Sequence, residues 1–132
     1  MKYLGIPCKR LGEWAEVCFM EQCLAHDLNV MKPYGDSYSY DFVVGYLRRF
    51  SSVQVRSSRM FRHYVWQVKS ERIGRGLTPD DADFLAAFIV PCDAWYIIPT
   101  AAMSGQRMLT FAPHHPTKAW TEQYREAWHL MK

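Results

Sequence analysis

YDFVVGY at residues 40–46 and FSSVQVRSS at residues 50–58, joined by a turn that Arg48 and Arg49 flank, decide how this chain folds. The first run is β-branched and aromatic and reads as a strand. The second alternates, with Gln54 and Arg56 on one face and Val53 and Val55 on the other. Asp41 thus opens one strand, and a polar pair lines the next.

Working outward, residues 59–63 turn, and YVWQVKS at 64–70 returns as a third strand, expected antiparallel to the second. Upstream, PYGDSYSY (33–40) is a turn-rich link. Residues 12–28 predict a helix. Leu11, Trp14, Ala15, Cys18, Phe19 and Ala25 form its apolar side, widened by Val17, Met20 and Leu24, so it packs on a sheet. Glu13 and Glu16 sit near its start, and Asp27-Leu28-Asn29 is a stop signal. Downstream, GRGLTPDD (74–81) is a loop. Phe84–Val90 and Ala94–Ile98 are apolar throughout and read as two buried strands, with helix open as an alternative for 83–89. Gly105 turns into an edge strand at 108–112, Pro113 and Pro116 bracket His114 and His115, and 118–131 predicts a final amphipathic helix. The order is α-β-β-β-β-β-α. The expected class is α/β: a mixed central β-sheet flanked by helices, in one domain spanning 1–132.

Hydrophobic residues make up 49% of the 132, enough for a packed core, and exclude a disordered chain. Formal charge is +3, but its distribution is uneven. Arg48, Arg49, Arg56, Arg59, Arg62, Lys69, Arg72 and Arg75 crowd one stretch against a single acid, Glu71. That field suits DNA or RNA, and a solvated hairpin surface is the other reading. The four cysteines form no C-x-x-C pair and read as buried free thiols. Cys23 and His26 have metal-like spacing, but no second pair completes a zinc site. With no signal peptide and no run of 18 apolar residues, the chain is expected to be soluble and cytoplasmic, without membrane association.

Glu16, Asp41, Gln54 and Arg56 make the pattern E-x24-D-x12-Q-x-R. Phosphodiester hydrolysis uses hard oxygen ligands for Mg²⁺ or Mn²⁺. Asp41 and Glu16 can supply carboxylates and Gln54 an amide oxygen. A lysine two residues after Gln54 could position water and neutralise the phosphorane. Arg56 can hold a phosphate bidentately but cannot act as a base. Gln67-Val68-Lys69 nearly copies Gln54-Val55-Arg56, so Lys69 is a candidate to supply the missing role if the two strands pair. Singly, each residue also reads as an ordinary surface or strand-entry group; the joint pattern is what points to a site.

Gly12-Glu13-Trp14-Ala15-Glu16, Pro33-Tyr34-Gly35-Asp36 leading into Tyr40-Asp41, and Gln54-Val55-Arg56-Ser57 together resemble the PD-(D/E)XK nuclease superfamily. The similar subgroup includes an intron homing endonuclease from cyanobacteria. The resemblance extends through Asp83-Phe84, Trp95–Pro99 and Tyr124–Trp128, nearly the whole chain. It implies a restriction-endonuclease-like core and Mg²⁺-dependent endonuclease activity on double-stranded DNA. Glu16, Asp41 and Gln54 match the acidic and metal-binding places, and Arg56 falls where the family has lysine. A paired DNA site would favour a homodimer. Reduced cleavage with retained DNA affinity is the expectation. A nuclease-fold DNA-binding protein that no longer cuts, and a small soluble interaction protein, stand as alternatives.

Overall fold

The computed structural model describes residues 5–115 and 119–132. Helix α1 (Cys8–Ala25) starts directly after Pro7, a turn earlier than its periodicity suggests. It stops in a left-handed turn at Asp27 (φ 60°), where Leu28 N–H donates to Cys23 O at 2.9 Å and Asp27 N–H to Leu24 O at 3.2 Å. This is the six-to-one and five-to-two pairing of a Schellman stop. Leu11, Ala15, Phe19 and Cys23 form the buried row, spaced by four. Val17, Leu24 and Ala25, expected on the apolar side, face solvent instead. Trp14, Cys18 and Met20 flank this row and are partly buried, and Ala127, Trp128 and Met131 share the same core with it.

The strands are β1 (Asn29–Met31), β2 (Phe42–Tyr46), β3 (Arg49–Ser58), β4 (Phe61–Arg62), β5 (Val65–Lys69), β6 (Glu71–Arg72), β7 (Arg75–Gly76), β8 (Phe84–Ile89), β9 (Ala94–Pro99) and β10 (Met108–Phe111). The central sheet runs β1-β2-β3-β8-β9, with β3 and β8 parallel and its other pairs antiparallel. It is therefore the mixed sheet that the sequence predicts. Alternation along β8 explains why this apolar run is a strand and not a helix. Phe84, Ala86 and Phe88 join the core beneath α1, while Leu85, Ala87 and Ile89 join a second core on the opposite face. Both faces are covered, as parallel pairing requires.

Three expectations are corrected. The third strand does not pair with β3: β8 takes that edge, and β5 pairs with β4 and β10 in a small second sheet. The predicted loop 74–81 contributes β7, which makes a hairpin with β6. The final helix is not α-helical. Trp120–Tyr124 and Trp128–Met131 are separate 3-10 turns. They are split where Arg125 bridges to Tyr96 and Glu126 adopts φ 52°. Lys118 and Pro116 lie outside the described residues. The reason is a competing set of partners. Glu122 accepts from Tyr96 Oη (3.0 Å) and Ala112 N (3.0 Å), and Thr121 Oγ1 donates to Thr110 O. These bonds hold the segment across β9 and β10. Among the described residues α1 is thus the one α-helix, and the second sheet covers the face assigned to another.

The thiols also depart from expectation. Cys23 alone is buried, its thiol pushed up to about 12 by desolvation, whereas Cys8 is exposed and Cys18 and Cys92 lie between. His26 contacts Gln22 O through Nδ1 at 2.8 Å and stacks on Trp128, which accounts for its spacing from Cys23 without a metal.

Candidate active site at a fork in the sheet

β2 and β3 pair from the hairpin turn as far as Phe42 opposite Val53 and then separate. Asp41 sits at the separation. Its N–H donates to Val53 O at 2.9 Å, and its Oδ2 accepts from Val55 N at 2.8 Å. The carboxylate therefore takes the place of the next rung, covering a strand N–H that would otherwise be orphaned. Oδ1 has no hydrogen-bond partner among the described residues.

Burial raises the Asp41 carboxyl, the Val55 N–H lowers it, nearby Glu16 raises it, and Arg56 and Lys32 lower it. The structure thus brings Glu16, Asp41 and Arg56, from three separate elements, into one electrostatic neighbourhood. Glu16 reaches it from α1, and its Oε1 lies 2.9 Å from Lys32 Nζ, just past the end of β1. A cavity of about 240 Å³ is lined by Glu16, Lys32, Asp36, Tyr38, Tyr40 and Asp41.

Gln54 precedes Val55 on β3 and is buried, its amide without a partner among the described residues. Arg56 is half-buried. Its Nη2 is 3.5 Å from Glu71 O, and its Nε is buried without a partner among the described residues. Arg56 faces a larger cleft of about 450 Å³, whose lining includes Cys8, Ser57, Arg59, Gln67 and Lys69. Lys69 therefore shares a wall with Arg56 but not a strand pairing, and it does not line the cavity of the two carboxylates.

The remaining basic residues disperse. Arg59 donates to Ile6 O at 2.6 Å beside the cleft. Arg62 is exposed on β4 and Arg72 half-exposed on β6. Arg75 is held by Asp81 through both carboxylate oxygens at 2.7 and 2.9 Å. Arg48 and Arg49 lie at the β2–β3 turn, and Arg49 donates to Lys132 O at 2.6 Å. With about 3.3 Å per strand residue, that turn is roughly 17 Å along β3 from Gln54.

The Glu16 and Asp41 carboxylates that line the cavity are hard oxygen donors of the kind divalent cations take. No group of three His, Cys, Asp or Glu with metal-holding geometry occurs among the described residues. Gln54, next to Val55 on β3, lines neither the cavity of the two carboxylates nor the cleft of Arg56. Lys32 was missed in the sequence. Its only signal is adjacency to Pro33-Tyr34-Gly35-Asp36, since it belongs to neither the helix pattern nor the strand alternation.

A family model described as PD-(D/E)XK endonuclease matches residues 6–131. Among solved structures, the chain is similar to that of a bacterial homing endonuclease, I-Ssp6803I, with a TM-score of 0.77 and 27% identity over 90% of this chain and 86% of that one. No curated protein sequence matches significantly. No helix among the described residues is long and apolar enough to cross a membrane.

Proposed function

The chain belongs to the PD-(D/E)XK endonuclease family, and on that premise we propose that it is a Mg²⁺- or Mn²⁺-dependent endonuclease of double-stranded DNA. The observation that carries this reading is the fork. Asp41 stands where β2 leaves β3, fixed by Val55 N–H, with Glu16 and Arg56 in electrostatic reach. Glu16, Asp41 and Gln54 would hold the cation. When bound, it supplies Lewis-acid stabilisation of the phosphate and a more acidic water. Arg56 orients the scissile phosphate through its planar donors and balances charge there, but it passes no proton. Arg59 and Lys69, on the cleft next to Arg56, grip the adjoining backbone phosphates. Cutting both strands takes two such sites, so a two-fold pair of chains is the assembly this reading expects.

Incubating the protein with supercoiled plasmid and Mg²⁺ or Mn²⁺ should yield nicked and linear forms. Asp41→Asn should lower that yield at least ~100-fold while retaining DNA binding. Intact plasmid at high protein with either ion would sink the enzymatic part. The second reading, a nuclease fold that binds without cutting, draws on Arg56 at the lysine position, whose buried Nε has no partner among the described residues. It expects salt-dependent duplex binding with no cleavage.

A further inference from the structure

We propose that Lys32 is a further cation of this active site, held by Glu16 beside Asp41 until a divalent ion binds and then turned to the phosphate. The inference rests on the nuclease reading above. Three observations carry it. Lys32 Nζ is 2.9 Å from Glu16 Oε1, so the ammonium already sits on a carboxylate of the candidate metal site. Lys32 lines the cavity of Glu16 and Asp41, whereas Lys69 lines only the neighbouring cleft. Its side chain is 62% exposed and its ammonium lies 4.8 Å from the Phe42 ring centroid. The head is therefore free to swing while the ring next to Asp41 keeps it near.

Charge balance gives the arrangement its logic. Without a divalent ion, the Glu16 and Asp41 carboxylates face the Lys32 and Arg56 cations, and Asp36 borders the same cavity. A divalent ion that takes Glu16 displaces the ammonium and leaves the site with surplus positive charge. That surplus is what a phosphodiester and an attacking hydroxide would neutralise. Arg56 and Lys32 would then flank the phosphate from opposite sides of the fork. The role asked of Lys32 is charge, so arginine should substitute for it and methionine should not.

The test uses the full chain with Lys32→Met and Lys32→Arg, and two readouts. Single-turnover cleavage at saturating duplex should fall about 100-fold in Lys32→Met and recover to within about tenfold in Lys32→Arg. Mn²⁺ titrated into the DNA-free protein should bind several-fold tighter to Lys32→Met than to the unmodified chain, because a competing ammonium is gone. Unchanged cleavage in Lys32→Met, or unchanged Mn²⁺ affinity, overturns the proposal. If the unmodified chain cuts nothing, the nuclease reading fails separately. The Mn²⁺ titration then decides Lys32 alone, with tighter binding supporting it and equal binding overturning it.

Discussion

Arg56 carries the chain's departure from its family's pattern, and its surroundings say what the departure costs. The guanidinium is half-buried, one nitrogen lacks a partner among the described residues and another makes a 3.5 Å contact with Glu71 O. A buried donor without an acceptor is unfavourable by about 1–3 kcal/mol. A lysine there would bring fewer donors and a group able to exchange a proton. Arg56→Lys is therefore expected to raise the single-turnover cleavage rate at least about tenfold, with duplex affinity within about threefold. A rate that fails to rise would mean that a cation other than residue 56 already performs the step. Glu16 and Asp41, paired by spacing in the sequence, line one cavity, whereas Arg56 lies within electrostatic reach of Asp41 but lines the neighbouring cleft, and Gln54 lines neither. Lys32 was not legible, since a lone lysine before a proline carries no pattern and acquires meaning only through its contact with Glu16.

Among elements, the last segment shows where periodicity misleads. Trp120, Tyr124, Ala127, Trp128 and Met131 have helical spacing, yet the backbone breaks at Arg125 and Glu126 to bridge Tyr96. Glu122 is the reason. It is 9% exposed and accepts from both the Tyr96 hydroxyl and the Ala112 N–H. Burial and this carboxylate raise the Tyr96 phenol well above its ordinary range. Removing the acceptor strands two buried donors. Glu122→Ala should lower unfolding free energy by about 2–4 kcal/mol in urea, read as a shift in midpoint at similar slope. Tyr96→Phe should lose less, because it removes a donor along with its need. The misplaced third strand has a related cause. Local alternation in 64–70 marks a strand but is silent on its partner, and β8, which begins 35 residues after β3 does, takes the edge that a hairpin would have used.

For the whole molecule, the sheet divides two cores and the charges divide with it. The basic stretch looked like one patch in sequence. In space, Arg56, Arg59 and Lys69 share the cleft, Arg48 and Arg49 sit at the opposite end of β3, and Arg75 is spent on Asp81. That last pair has a consequence for acid stability. The Arg75 guanidinium, ahead of bonds from Thr78, holds the Asp81 carboxyl at about 2. Its stabilising contribution is therefore complete above the ordinary carboxylate range and is lost as pH falls from about 4 through about 2. Arg75→Ala should lower the thermal midpoint at pH 7 and make the decline between pH 4 and pH 2 shallower. An unchanged acid limb would mean that other carboxylates govern it. The mixed sheet and its flanking helix were legible from apolar runs. The second sheet was legible only as two unpartnered strands, β5 and β10, since β4 is two residues long, and the separate β6–β7 hairpin is equally short and leaves no alternation to read.

The bond from Val55 N–H to Asp41 Oδ2 makes one backbone amide a spectroscopic witness to the site. Every change in that carboxylate, whether protonation, replacement by asparagine or rotation toward a ligand, alters the electron density facing a single proton on β3. The Val55 amide resonance and its solvent-exchange rate should thus follow the state of the fork while the neighbouring amides of the central sheet stay still. Occupancy of the site can then be followed in solution without DNA and without turnover.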